Sequence, residues 1–192
     1  DRERFVVFQR LQSNTRISEF PDIKNARGEL DQTACKEFIQ DSGRSRLIRG
    51  DHLERFVLRP PAYSKRPSFV AKSRFLSEGV SPVKAADVRL SRLACRQISY
   101  LNKPRRLSFA RVPQGSILGN SCNYLVPTAG VLEPDLLLDG LEALLNSAPC
   151  EWFFRVFNSN NHVANYEIDE LPVVDDPDGL ATLATVCRQL RW

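Results

Sequence analysis

Leu93-Ala-Cys-Arg-Gln-Ile98, Leu107-Ser-Phe-Ala-Arg-Val112 and Asn123-Tyr-Leu-Val126 are three short apolar runs parted by turn formers at Asn102-Lys103-Pro104, Pro113-Gln114-Gly115 and Gly119-Asn120. Runs of this length, rich in β-prone residues and bounded by Gly, Pro and Asn, read as strands joined by turns. The middle of the chain is therefore expected to be mostly β. Working outward, Val88-Arg89-Leu90, Leu47-Ile48-Arg49-Gly50 and Phe5-Val6-Val7-Phe8 read as further short strands. Pro60, Pro61, Pro67 and Pro82 break helices, which leaves extended pieces such as Phe69-Val70-Ala71 in a long ordered excursion over the surface.

After Gly130 the period changes. Pro134 and Asp135 suit a first helical turn, and Leu137, Leu141, Leu144 and Leu145 fall on one face of a helix reaching about Ala148. Pro149 opens a second helix with Trp152, Phe153, Val156 and Phe157 as its apolar stripe, ended by Asn158-Ser159-Asn160-Asn161-His162. Residues 168–174 read as extended around Pro172, and Asp176-Pro177 caps a last helix carrying Leu180, Leu183, Ala184, Cys187 and Leu190 on one side. The expected fold class is α+β: a single domain over 1–192, with 1–127 mainly β with long loops and 128–192 helical.

The 192 residues are 42% hydrophobic and 26% charged, enough apolar material for a core. No apolar run approaches the roughly 18 to 20 residues that cross a bilayer, so no membrane association and a cytoplasmic location are expected. The five cysteines form no C-x-x-C pair and are expected as free thiols in a reducing compartment. Methionine is absent even at position 1, which fits a piece of a longer polypeptide.

The net charge of +4 hides an asymmetry: residues 41–111 hold seventeen basic and five acidic side chains, residues 112–192 three basic and eleven acidic. Such an excess must be solvated, and polyanions are its natural partner. Arginine outnumbers lysine thirteen to four in the basic segment, and its planar fork suits phosphates and guanine edges. The arginines between Gly43 and Val112 are expected to converge on one concave wall, with the acidic third turned elsewhere.

Several chemistries are excluded. Gly115-Ser-Ile-Leu-Gly119 lacks the lysine and hydroxyl residue of a P-loop, and Ser116 and Ser121 have no nucleophile elbow. Glu167, Asp169, Glu170, Asp175, Asp176 and Asp178 read as a solvated acidic edge rather than an ion site. In Pro21-Asp22-Ile23-Lys24 one aspartate would have to serve both halves of a nuclease motif. No catalytic residue, metal ligand or cofactor site is assigned to this chain.

What remains is a set of basic and amide clusters. Arg44, Arg46, Arg49 and Arg55 flank Gly50-Asp51-His52; Arg96 and Gln97 end a strand; Lys103, Arg105 and Arg106 sit on the turn after it. Asn120 and Ser121, then Asn158, Asn160, Asn161 and His162, form amide-rich loops, while Lys65, Arg66, Lys72 and Arg74 are candidates on charge alone. Arginine with guanine and Asn or Gln with adenine are the bidentate base contacts, and Lys and Ser hold phosphates. Loops bearing this mixture on a β scaffold can enter the major groove of double-stranded DNA, with RNA and acidic proteins open on charge alone, and joint removal of Arg105 and Arg106 is expected to flatten the salt dependence of binding. A small metal-dependent nuclease and a basic protein-interaction module stand as alternatives.

The chain resembles the C-terminal specificity region of TaqI-like adenine-N6 DNA methyltransferases of type II restriction-modification systems. The resemblance rests on Ala26-Arg-Gly-Glu-Leu-Asp31, Leu47-Ile-Arg-Gly-Asp-His-Leu-Glu-Arg-Phe56, Ala94-Cys-Arg-Gln-Ile-Ser99, Arg105-Arg-Leu-Ser-Phe-Ala110, Leu118-Gly-Asn-Ser-Cys-Asn-Tyr124, Leu144-Leu-Asn-Ser147 and Asn158-Ser-Asn-Asn-His-Val163 leading into Tyr166-Glu-Ile-Asp-Glu-Leu-Pro172. It implies an α+β target recognition domain gripping duplex DNA. An N-terminal methyltransferase domain of the same polypeptide would bind S-adenosylmethionine and methylate a flipped adenine. The Asn-Pro-Pro-Tyr type motif of that domain is missing here, since Arg59-Pro-Pro-Ala-Tyr63 has the wrong order. This chain alone is not expected to methylate DNA.

Overall fold

Four strands, β1 (Ile23–Arg27), β7 (Arg92–Arg96), β8 (Phe109–Val112) and β10 (Cys122–Pro127), pair antiparallel in the order β1-β10-β7-β8 in a computed structural model that describes residues 2–60 and 69–191. Both faces of this sheet are covered, and the period-two alternation of strand side chains sorts them into two cores. Leu93, Cys95, Phe109 and Leu125 face the helices, packing with Leu137, Leu141, Phe153, Ile168 and Leu180. Ala94, Ala110, Cys122, Tyr124 and Val126 face a lobe of short strands and pack on Ile48, Leu53 and Leu118.

That lobe contains β2 (Ile39–Gln40) paired with β6 (Phe69–Val70), β3 (Leu47–Ile48) parallel to β9 (Ile117–Leu118), and the hairpin β4 (Leu53–Glu54) to β5 (Val57–Leu58). A third core of Leu30, Phe38, Leu47, Val70, Phe75, Val88 and Ile117 lies beneath it. The stretch read as an extended excursion differs from expectation: past the undescribed residues it forms β6, α2 (Lys72–Arg74), a π-helical turn and α3 (Pro82–Asp87). Ser81-Pro82 starts α3 with proline at a first-turn position, where its missing N–H costs nothing. Val88 to Leu90, expected as a strand, is the hydrogen-bonded turn that closes α3.

The helical portion is α4 (Pro134–Leu145), α5 (Ala148–Phe157), α6 (Asn165–Asp169) and α7 (Pro177–Leu190), with α4 packed along α7. The N-cap of α7 is Asp176, whose carboxylate accepts the Gly179 N–H at 2.7 Å. Ser147 caps α5 in the same way through Cys150 N–H. On α5 the buried side is Cys150, Glu151, Phe153 and Phe154, whereas Val156 and Phe157 of the expected stripe stay exposed.

The run Phe5 to Phe8, expected as a strand, lies inside helix α1 (Arg2–Gln12). Only Phe8 and Leu11, three apart and so on one helical face, pack onto the core. Phe8 meets Trp152, Phe153 and Phe157 at 5.6 to 5.9 Å between ring centroids. Arg16 closes the helix by donating to the Leu11 and Gln12 carbonyls. Among the described residues no helix is long and apolar enough to cross a membrane.

Candidate nucleic-acid interface

Strand direction decides which clusters meet. In the antiparallel sheet Arg27 lies opposite Asn123, Cys122 opposite Arg96 and Cys95 opposite Phe109. One end therefore gathers the exits of β1 and β7 and the entries of β8 and β10. The Arg49–Arg55 segment reaches the same end, because Gly50 N–H donates to Ser121 Oγ at 3.1 Å. A Cβ on Gly50 would sit 2.8 Å from the Ser121 carbonyl, so only glycine permits this approach. Gly28 plays the same part beneath, where a Cβ would lie 2.0 Å from the Gly119 carbonyl oxygen.

Four of the expected cations line one depression of about 350 Å³: Arg55, Arg96, Lys103 and Arg105, with Glu54, Pro104 and Ser108. Arg55 comes from the β4–β5 hairpin, whose next residue, Phe56, is held at φ 61°, a left-handed conformation that costs a bulky side chain energy. Arg55 donates to the Asn146 carbonyl at 3.0 Å and Arg105 to the Ser147 carbonyl at 3.3 Å. The Asn146 carbonyl stands at the C-cap of α4, the negative pole of its dipole, and the Ser147 carbonyl at the N-cap of α5. Arg96 donates to the Leu53 carbonyl.

Each guanidinium is thus fixed by a backbone carbonyl and keeps donors in reserve. Glu54 is engaged by Arg59 at 2.6 Å. Among the described residues no carboxylate lies within ion-pair distance of Arg55, Arg96, Lys103 or Arg105. Burial and the Arg96 charge lower the pKa of Lys103, while burial and Arg105 lower that of Arg55. Glu54 and Glu151 act against these shifts from beyond ion-pair distance, and four cations to one lining carboxylate leave a net positive depression whose spread of charge suits a phosphate chain better than a single ion.

Beside the depression runs a ridge of amides and guanidinium groups. Asn120 accepts from Gln32 Nε2 at 3.1 Å, the Gln32 oxygen accepts from Arg49 Nε at 2.5 Å, and Arg27 Nε donates to the Asn120 carbonyl at 2.9 Å. Arg27 also reaches the Gln97 side-chain oxygen at 3.4 Å, and Gln97 N–H donates to the Ser121 carbonyl. Gln97, Asn120 and Ser121 were expected here, whereas Arg27 and Gln32 were missed. Arg27 lies in the Ala26–Asp31 segment that carries the family likeness, and Gln32 directly follows it. Asp31 adds a carboxylate whose pKa is held below its usual value by the Ala34 and Thr33 N–H groups.

Other expectations need correction. Arg106 is 1% exposed. Its guanidinium donates to the carbonyls of Ser99 at 3.1 Å and Asn160 at 2.6 Å and to the Asn158 side chain. Asn158 is equally internal and donates to Glu167 and to the His162 carbonyl. These two residues tie the turn after β7 to the Asn158–His162 loop and do not face a ligand. Arg49 is buried as well and supports the ridge from below. Removing Arg105 and Arg106 together would therefore mix a surface change with a core one.

Asn160, Asn161 and His162 do reach the surface at this end, His162 bridged to Ile98. Arg44 and Arg46 precede β3 and do not line the depression; Arg44 is exposed and Arg46 half-buried. Lys65 and Arg66 lie outside the described residues. Of the charge-only candidates, Arg74 pairs with Glu78 at 3.0 Å and Lys72 lies beside Gly115, at the opposite end of β8.

Convergence of the arginines is accordingly partial. Arg59, Arg74, Arg92 and Arg111 are spent on Glu54, Glu78, Glu29 and the Asp135–Asp139 pair. The acidic third also serves the site directly: Glu151 on α5 accepts the N–H groups of Arg106 and Leu107 at 2.9 to 3.0 Å, fixing the basic turn. The buried group Asp139, Glu142 and Cys187 has metal-ligand chemistry in principle, but Arg111, Arg188 and Arg191 already neutralise its carboxylates. In the nuclease alternative the Lys24 amine would have to be available, yet it is held by both Asp87 oxygens at 2.6 and 2.7 Å. All five cysteines are free, and burial pushes the thiols of Cys95, Cys150 and Cys187 up to about 12, so they stay protonated and unreactive.

His52, under the ridge, is fully buried and accepts the Arg49 N–H on Nδ1 at 3.1 Å. Burial lowers its pKa, and the Arg46 and Arg49 charges add to that against Asp51. The folded state thus holds it neutral while the unfolded chain takes up a proton near pH 6.5. Stability is full above that value and is expected to decline as the pH falls below it. His52→Asn, which keeps an acceptor for Arg49, should flatten the decline in urea-unfolding midpoints between about pH 7.5 and about pH 5.

No protein-family model matches this chain, and no curated protein does. A solved structure described as a type I restriction-modification system S subunit from M. genitalium is similar over 96% of this chain at 11% identity, with a TM-score of 0.49. The chain spans 41% of the length of that one.

Proposed function

We propose that this chain is a duplex-DNA recognition domain. The observation that carries the reading is the meeting, at one sheet end, of a depression whose four cations, Arg55, Arg96, Lys103 and Arg105, have no carboxylate within ion-pair distance among the described residues, with a ridge of Arg27, Gln32, Gln97, Asn120 and Ser121. Phosphate contacts to the first would position the protein, and the amides and guanidinium groups of the second offer the donor and acceptor pairs that read base edges. The resemblance to TaqI-like specificity regions supports the finer reading. In it the domain directs a type II adenine-N6 DNA methyltransferase in the bacterial cytoplasm, while S-adenosylmethionine and the methyl transfer belong to an N-terminal domain of the same polypeptide. The chain itself then does no chemistry.

The test is a titration of a mixed-sequence duplex at several salt concentrations. With the cations of the depression engaged, log K should fall with log salt at a slope of about −3 to −4. An affinity indifferent to salt would overturn the reading. Displacement by heparin and by duplex at equal charge equivalents would instead favour a basic module for acidic proteins.

A further inference from the structure

The turn after β7 presents apolar surface as well as charge. Ile98, Tyr100 and Leu101 are 49%, 59% and 47% exposed. Three large apolar side chains within four residues thus stand in solvent directly beside the cations. Their backbone is well supported. Ser99 N–H donates to the Asn161 carbonyl at 2.8 Å and Leu101 N–H to the Asn161 side-chain oxygen at 2.9 Å. The Ser99 carbonyl accepts from Arg106, Ser99 itself is buried, and Lys103 N–H closes the turn onto the Tyr100 carbonyl at 3.1 Å. The side chains around Ser99 are therefore pushed outward by a rigid base. Lys103, in the same turn, already lines the cationic depression.

We infer that Tyr100 and Leu101, with Ile98 behind them, form an apolar wedge that enters a partly unstacked base step of duplex DNA while Lys103 and Arg105 hold the flanking phosphates. The inference rests on the DNA-recognition reading and deepens it by naming deformable duplex as the ligand class. Opening a base step is unfavourable, and burial of the wedge together with the added backbone contacts offsets that cost. The neighbouring cations favour DNA over an apolar protein partner. Arg106 and Asn161 become positioning residues, which accounts for spending a buried guanidinium on three loop carbonyls.

A wedge gains where the step is already open, because less stacking must be broken. The protein is titrated at one low salt concentration against a mixed-sequence duplex and against the same duplex with one central abasic site. The abasic duplex should bind about tenfold tighter, and 2-aminopurine beside the site of entry should brighten on binding. Tyr100→Ser with Leu101→Ser should bring the ratio to about one and abolish the brightening. Both side chains are exposed, so an unchanged thermal unfolding midpoint is expected to accompany this loss. Lys103→Gln with Arg105→Gln should weaken both duplexes and keep their ratio. Equal binding of the two duplexes by the unaltered protein overturns the wedge alone. No binding of either overturns the DNA reading and the wedge with it.

Discussion

Arg92→Leu is expected to cost about 3–5 kcal/mol, the range for leaving one charge of a buried pair without its partner. The guanidinium is wholly buried, donates to both Glu29 oxygens at 3.0 and 3.2 Å and to the Ser116 carbonyl, and lies 5.0 Å from the Tyr124 ring. Glu29 also accepts the Leu118 N–H at 2.8 Å. Without Arg92 a carboxylate would remain in the interior between the sheet and the short-strand lobe. A domain of this size commonly has only about 5–15 kcal/mol in total, so the variant should lose a large share of its stability and unfold at a clearly lower urea concentration. Arg92→Met combined with Glu29→Gln should recover most of the loss, because both charges are gone and Gln still accepts from Leu118. Urea-unfolding midpoints of the three proteins decide it: a single variant within about 1 kcal/mol of the parent would mean that the pair is not closed in the folded state.

Arg92 also shows where sequence reading ends. The strands around Leu93, Leu107 and Asn123 were legible because short apolar runs between turn formers have one good solution. The helices at Pro134 and Pro177 were legible because Pro and Asp mark a first turn. Phe5 to Phe8 was not, since four apolar residues fit either period and only the aromatic face of α5 selects the helix. The charge asymmetry pointed to a cationic surface, and the structure gathers four of its cations in one depression, but an arginine's direction is set by partners far away in the chain. Arg105 and Arg106 are neighbours in sequence; one lines the depression and the other is drawn inward by carbonyls and an amide more than fifty residues on. Glu151 was invisible for the same reason, since its use lies in the N–H groups of Arg106 and Leu107 and not in its charge.

Replacing Arg55, Lys103 and Arg105 together by glutamine is expected to remove three phosphate contacts and leave the fold in place. Arg55 and Arg105 each donate to one carbonyl between α4 and α5, so each truncation gives up one hydrogen bond, and the Ser147 carbonyl keeps the Glu151 N–H. The counterion argument then sets the size of the effect. Each lost contact takes about 0.9 from the log–log salt slope, so the slope should shrink by about 2.7. If the two proteins converge near 1 M salt, where counterion release no longer drives binding, the deficit at 0.1 M is roughly 500-fold. Arg55→Lys with Arg105→Lys keeps the charges and should keep the slope, losing only what the planar fork contributes. Arg106→Gln, by contrast, should lower the unfolding midpoint, because the guanidinium and its partners Ser99 and Asn158 are buried. A triple variant with an unaltered slope would place the phosphate contacts elsewhere and leave the depression without a role in binding.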